Sequence, residues 1–302
     1  MSNICLIDGA NLAYRAYHVF SKFKSSKGIH TGGIYGFFNM LISYARVTDK
    51  FIIAWEGSKD KNWRRKEYPQ YKEKRKEINE EMIECFHNVK DLCTLIGIPQ
   101  IRKDEYEADD CIEYLVRRFQ KDITIISNDK DLLQLISDEN NIKVLRPHPK
   151  DGLIKYDEDM IKTKYGVSKE QFILYLSILG DTSDNIKGIK GFGEVKTCRF
   201  INGEIEPLKT LESMYPTEIE NVKRNIRLID LKNHDNRIKS IEDDELILPK
   251  PNLYLLNNKL FEYEIKAINS KDLIDSLRND GFISSLHSLK STMIPSKLQT
   301  IL

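Results

Sequence analysis

Nine carboxylates recur in short, separate stretches of this 302-residue chain. They are Asp8 in "ICLIDGAN", Glu56 in "FIIAWEG", Glu107, Asp109 and Asp110 in "YEADD", Asp129 and Asp131 in "SNDKD", and Asp181 and Asp184 in "GDTSDN". One acidic turn alone reads as a solvated helix start, because the helix macrodipole favours Asp and Glu there. The stretch around "YEADD" is harder to dismiss. Six of the ten residues from Asp104 to Glu113 are acidic and none is basic, yet Ala108, Cys111, Ile112 and Leu115 continue at helical spacing as a buried face would. On a helix Glu107 and Asp110 share one face and Asp109 flanks them. Carboxylates crowded near low-dielectric walls oppose one another's ionisation, and a divalent cation is the natural compensation. Apart from Cys5, inside the first apolar run, the motifs contain no His or Cys, so oxygen-only ligation points to Mg²⁺ or Mn²⁺ rather than Zn²⁺. More carboxylates than one octahedral ion can use predicts two ions, roughly 4 Å apart, the arrangement that hydrolyses a phosphodiester with metal-activated water.

Three β-prone runs would bring these acids together: "ICLID" (4–8), "FIIAWE" (51–56) and "ITIISND" (123–129), each closed by an acid and each followed by a helical pattern. Apolar runs alternating with amphipathic helices predict an α/β fold with a mostly parallel central sheet flanked by helices. Ligands in such sheets bind beyond the carboxyl ends of the strands, where Asp8, Glu56 and Asp129 would crowd one edge. "IKVL" (142–145) reads as a fourth strand. Beyond about residue 150 the β signal fades. Residues 156–180 read as two helices broken at Gly166, with Ser168 capping the second, and 207–231 and 271–282 are helical in pattern.

Two further stretches carry charge that suits a polyanion. From Gly57 to Lys76 there are nine Lys/Arg against three acids, with Trp63, Tyr68 and Tyr71 interleaved. A charged surface loop would look similar, but cations that track phosphates and rings that stack bases are what single-stranded nucleic acid requires, and Arg64 and Arg65 lie in the middle of it. The second is "GIKGFGEVKT" (188–197). Its G-x-x-G-x-G spacing is neither a dinucleotide fingerprint nor a nucleoside-triphosphate loop. A Gly turn opening into a helix can present backbone N–H groups to a phosphate, with Lys187, Lys190 and Lys196 around it, although a plain helix–turn–helix connection would also use such glycines.

The bulk composition excludes several classes. Formal net charge is +1, so any nucleic-acid partner must be held by local charge. No apolar run approaches the roughly 20 residues needed to span a bilayer, and the N-terminus does not resemble a signal peptide, so the chain reads as cytoplasmic and membrane-free. The five cysteines are scattered without a C-x-x-C pair and the six histidines stand singly. Reduced core thiols are expected, without a structural zinc.

Taken in order, these motifs resemble the 5′-nuclease (flap endonuclease) superfamily, especially the phage 5′→3′ exonucleases, including the phage ribonuclease H that removes RNA primers. The resemblance spans roughly residues 3–200. "LIDGANLAYRAYH" is similar to the first-strand motif, "EGSKDKNWRRKEYPQYKEKRK" to the second acidic site with its arch, and "YEADD", "SNDKDLLQL" and "GDTSDNIKGIKGFG" to the remaining acidic clusters and the helix–three-turn–helix. The resemblance implies a PIN-like 5′-nuclease core over 1–180 with a basic helical arch at about 57–80. It places the helix–three-turn–helix and a helical DNA-binding region in 181–302. It implies that Asp8, Glu107, Asp109, Asp110, Asp129, Asp131, Asp181 and Asp184 are metal-site carboxylates. Glu56 stands where the family usually has Asp. Lys72 and Arg75 match arch cations that hold the scissile phosphate, and Arg15 matches a basic residue that meets substrate. Gly188, Gly191 and Gly193 match the turn that grips duplex backbone, where the family often binds K⁺.

The function expected on these grounds is Mg²⁺-dependent, structure-specific 5′→3′ exonuclease and flap endonuclease action by a monomer, with two ions and Mn²⁺ as a substitute. Its substrate would be DNA with a 5′ flap or 5′ end, with RNA·DNA hybrid as an extension. A PIN-type RNA endonuclease and a DNA-junction-binding protein with an attenuated metal site stay open as alternatives. Among proteins, a sliding clamp or a single-strand-binding protein would be the partner. The tail "KLQTIL", with Gln299 and Leu302, loosely resembles clamp-binding peptides, and a disordered terminus is the simpler reading.

Overall fold

Strand and helix alternate along the chain as the apolar runs dictate. The computed structural model describes residues 3–46, 48, 50–205, 216–232 and 245–291; the tail from 292 onward lies outside the described residues, and with it the clamp-binding resemblance. In chain order the elements are β1 (Ile4–Asp8), α1 (Gly9–Val19), α2 (Thr31–Tyr44), β2 (Phe51–Ala54), α3 (Trp63–Glu67), α4 (Glu80–Ile96), β3 (Gln100–Ile101), α5 (Ala108–Phe119) and β4 (Ile123–Ile126). A 3₁₀ turn (Asp131–Leu135) leads to β5 (Ile142–His148), β6 (Gly152–Tyr156), α6 (Glu158–Tyr165), α7 (Lys169–Leu179), β7 (Gly180–Asp181), β8 (Ile186–Lys187) and α8 (Glu194–Ile201). The remaining described elements are α9 (Pro216–Ile229), β9 (Leu246–Ile247), α10 (Leu253–Glu262), α11 (Ser270–Leu277) and α12 (Asp280–Ser291).

The chain packs as two compact units that are discontinuous in sequence and do not divide at residue 180. One comprises Ser2–Trp55, Ile78–Arg102 and Ile241–Leu302; the other comprises Glu56–Glu77 and Lys103–Ser240. In the first, β1 and β2 pair in parallel, β2 and β3 likewise, and β9 joins β3 antiparallel. Every residue of β1 and β2 is buried, which is why these strands read as unbroken apolar runs rather than as alternation. Leu6, Ile7, Ile52 and Ile53 of the strands and Phe37, Phe38 and Leu92 of the helices are all fully buried. Each such side chain contributes about 1.5–3 kcal/mol. Asp8 both ends β1 and caps α1, accepting from the Asn11 N–H at 2.9 Å. Its Cα partner in the sheet is Ala54, two residues before Glu56.

In the second unit β4 and β5 are parallel and β6 returns antiparallel. The α/β, mostly parallel expectation therefore holds for the main sheet, where the pairings β1–β2, β2–β3 and β4–β5 are parallel and β3–β9 and β5–β6 antiparallel, and the fourth strand lies where "IKVL" placed it. The fading β signal beyond 150 is corrected: β6 is a five-residue edge strand with an exposed face, and β7, β8 and β9 are two-residue pairings too short to leave a period in the sequence. The two helices broken at Gly166 are present, because Gly166 closes α6 at φ +70° and Ser168 and Gln171 form a capping box at α7. The helical arch expected over 57–80 is also corrected. Only the five residues of α3 are helical there, and turns follow from Tyr68 to Arg75 before α4 begins at Glu80.

Candidate active site

Seven of the nine predicted carboxylates, from Glu107 to Asp184, fall in one unit together with Glu56 and the basic stretch. The start of α5 sets the first group. Glu107 is its N-cap and Asp110 its third residue, and they form a capping box in which Asp110 Oδ2 accepts the Glu107 N–H at 2.8 Å. Helix-start chemistry thus orients two carboxylates through contacts only three residues apart in sequence.

Tertiary structure then adds cations. Arg64 forks onto Asp110 with Nη1–Oδ2 at 2.6 Å and Nη2–Oδ1 at 2.8 Å, and its Nε donates to the Leu228 carbonyl at 2.8 Å. Asp110 is fully buried and Arg64 nearly so. Arg64 is therefore a structural counter-ion rather than a groove cation, which corrects its assignment to nucleic-acid contact. Glu107 receives Lys72 Nζ at 2.6 Å and Asn62 Nδ2 at 3.2 Å on Oε1. Burial alone would raise the Glu107 carboxyl, but the Lys72 ammonium and Arg64 guanidinium overrule it and hold it at about 2. Burial would lower the Lys72 ammonium in turn, but the negative charges of Glu107, Glu56 and Asp184 raise it above its ordinary value.

Tyr71 bridges two of the acidic segments. Its hydroxyl lies 3.0 Å from Glu107 Oε2 and 3.1 Å from Asp184 Oδ2, so its one proton serves one of them at a time. Burial, then the Glu107 charge, drives the phenol well above its usual range. Arg75 Nη2 donates to Asp184 Oδ1 at 2.6 Å, and the Lys72 N–H donates to the Asp184 carbonyl at 2.9 Å. Lys72 adopts φ +55°, a conformation rare for a residue with a side chain. Asp181 accepts from the Ser183 N–H and hydroxyl and pairs with Lys130 at 3.0 Å. Burial would raise it, and those partners bring it down instead.

Asp129 and Asp131 differ from the rest. Asp129 Oδ1 accepts the Asp131 N–H at 2.9 Å, and among the described residues no cation lies within ion-pairing distance of either carboxylate. Burial raises both, and the Asp129 charge raises Asp131 further. A half-buried pair of acids with oxygen-only donors and no direct ion pair, Lys72 and Lys130 offsetting their charge only from beyond ion-pairing distance, fits a hard divalent cation. Among the described residues, no three His, Cys, Asp or Glu side chains converge closely enough to hold an ion as they stand. Glu107, Asp110, Asp181 and Asp184 are turned instead toward Lys72, Arg64, Lys130 and Arg75. Glu56 is exposed, with Oε2 3.4 Å from the Ala108 N–H. Asp109 is half-buried, and Asp8 and Arg15 belong to the other unit.

A family model described as 5′-3′ exonuclease, N-terminal resolvase-like domain, matches residues 3–166. The chain belongs to the 5′-3′ exonuclease family. It is 31% identical over 279 residues to the 5′-3′ exonuclease of Aquifex aeolicus strain VF5, covering 89% of this chain and 94% of that one. It is 28% identical over 291 residues to DNA polymerase I of Bacillus subtilis strain 168, covering 95% of this chain but spanning about a third (32%) of the polymerase. Its fold is similar to that of a bacteriophage T5 D15 flap endonuclease variant solved with DNA and metal ions, with TM-score 0.60, 20% identity, and coverage of 96% of this chain and 99% of that one.

In this family member the Gly-rich turn joins β8 to α8. Gly188 is packed so tightly that a Cβ would stand 2.3 Å from the Ile178 carbonyl oxygen. Gly191, at φ +82°, and Gly193, the N-cap of α8, have open space around them. Lys190 is exposed, whereas Lys196 lies over the Phe192 ring at 4.2 Å. Arg65 Nη2 donates to the Lys72 carbonyl at 3.3 Å.

Sequence reasoning missed several contributors. Tyr71, counted among base-stacking rings, is buried against carboxylates, and Arg224 covers the Tyr68 ring at 4.2 Å. Lys130 and Gln134 carried no sequence signal beyond lying beside an acidic motif, and Asn62 carried none within the basic stretch.

Proposed function

We propose that this chain is a Mg²⁺-dependent, structure-specific 5′ nuclease that hydrolyses phosphodiesters at 5′ ends and 5′ flaps of DNA. Family membership supports the reaction class, and the acids Asp129 and Asp131, which make no direct ion pair among the described residues, carry the metal dependence. Asp129, Asp131, Asp181 and Asp184, with Glu107, Asp109 and Glu56, would hold two ions. When bound, the ions activate water and stabilise the departing 3′ oxygen.

The chain's own residues orient the substrate. Lys72 and Arg75, now on Glu107 and Asp184, have the charge and position to take the scissile phosphate. Water adds to phosphorus and the bond from phosphorus to the 3′ oxygen breaks, with a proton going to that oxygen, so the released 5′-side fragment ends in a 3′-hydroxyl and the retained strand begins with a 5′-phosphate. Gly191, Gly193 and Lys190 would contact duplex backbone without reading sequence.

The test is cleavage of a 5′-flap duplex labelled at both ends, in Mg²⁺ and in EDTA, by the wild type and by Asp129→Asn. Cuts near the junction that need Mg²⁺ and disappear in the variant are expected. Tight flap binding with no cut in Mg²⁺ or Mn²⁺ would replace this reading with that of a binding protein.

A further inference from the structure

We propose that α9 sets the spacing between the acidic segments, with Gln134 and Asn225 as its positioning residues; this rests on the nuclease reading above. Three carboxylate-bearing segments, distant in sequence, are fastened to this one helix. The first is the 3₁₀ turn that begins at Asp131. Gln134, buried, donates through Nε2 to the Asp131 carbonyl at 2.8 Å and to the Ile229 carbonyl at 3.0 Å, and its Oε1 accepts the Leu231 N–H at 2.9 Å. Both N–H groups and the oxygen of one amide are spent tying that turn to the end of α9.

The second segment is the β7–β8 hairpin that carries Asp181 and Asp184. Asn225, fully buried on α9, donates through Nδ2 to the Ser177 carbonyl at 2.9 Å and the Lys187 carbonyl at 2.8 Å, one on each side of the hairpin. The third is the start of α5. The Leu228 carbonyl takes Arg64 Nε while the guanidinium fork holds Asp110. The last turn of a helix has carbonyls without intrahelical partners, so Leu228 and Ile229 are natural anchors. Neither Gln134 nor Asn225 is placed in contact with metal or substrate: Gln134 acts through the backbone of Asp131, and Asn225 through the backbone on either side of the hairpin that carries Asp181 and Asp184. Partners of this kind orient metal ligands, and losing one typically costs about 10–100-fold in metal affinity.

The experiment is direct Mn²⁺ titration by calorimetry on wild type, Gln134→Met and Asn225→Ser, with circular dichroism to verify folding and flap cleavage measured against Mg²⁺ concentration. The expected result is folded variants with Mn²⁺ affinity reduced about tenfold or more. The Mg²⁺ needed for half-maximal cleavage would rise in parallel, while flap-DNA affinity in EDTA stays within about twofold of wild type. Folded variants that bind Mn²⁺ as the wild type does overturn the proposal, as does loss of folding in both, which would make the bonds purely structural. Because Mn²⁺ binding is read without cleavage, a wild type that binds metal but does not cut removes the nuclease reading alone. A wild type that does neither removes both.

Discussion

Arg64 and Asp110, 46 residues apart in sequence, form a two-pronged ion pair closed off from solvent. Such a pair adds little net stability over an apolar replacement of equal shape, but breaking it strands a charge. Asp110→Asn is expected to destabilise the fold by about 3–5 kcal/mol, and adding Arg64→Met should recover most of the loss. Chemical denaturation of the three proteins checks this. Equal stability of Asp110→Asn and wild type would show that the pair is not closed off as described.

The hydroxyl of Tyr71 is shared by Glu107 and Asp184. Tyr71→Phe keeps the ring and removes that bridge, at an expected cost of about 1–3 kcal/mol. The same denaturation series measures it. No change would mean that Lys72 and Arg75 satisfy both acids without the phenol.

Glu113 gives the fold a pH dependence. Burial pushes its carboxyl from an ordinary 4.5 up to about 7, with Arg117 only partly opposing. A folded-state value above the unfolded one favours the folded protein while the acid is protonated. This contribution is complete below about pH 4.5 and declines as pH rises through about 7, by at most about 3 kcal/mol. Glu107, held at about 2, works in the opposite sense: its contribution is present above about pH 4.5 and is lost as pH falls toward 2. Melting curves from pH 4.5 to 8 should flatten in Glu113→Gln, and an unchanged slope would exclude Glu113 as the source.

Gly180, which opens the hairpin carrying Asp181, sits at φ 77°, ψ 178°, a region open essentially to glycine alone. A Cβ there would also stand 2.4 Å from the Gly188 nitrogen. Gly180→Ala should cost about 1–3 kcal/mol or more and displace Asp181. Thermal unfolding together with flap cleavage reads both effects. A stable, fully active variant would show that the hairpin tolerates another backbone path.

Binding of flap DNA in EDTA should weaken steeply with salt, since phosphate contacts release counterions. Affinity measured at several salt concentrations gives the slope, which should be shallower in Lys190→Ala. An identical slope would remove Lys190 from the interface.

The sequence by itself determined the elements and the donor set. Runs such as "ICLID" and "ITII" are apolar on both faces because their strands are buried on both. Gly166 ends α6 because only a residue at ease with positive φ closes a helix that way. The carboxylates were legible because helix capping and strand ends are local, set by residues within three or four positions of one another. The tertiary structure alone decided their partners. Lys72 and Glu107 are 35 residues apart, Tyr71 and Asp184 are 113, and Gln134 and Leu231 are 97. No spacing encodes such meetings. A basic stretch that looked like a nucleic-acid groove has Arg64 buried as a counter-ion and Tyr71 as a bridge, because burying acids requires cations and donors within reach, and the nearest in space came from far along the chain. The strands β3, β6 and β9 were likewise invisible, since two-residue pairings and a half-exposed edge follow from the neighbours they meet rather than from their own periodicity.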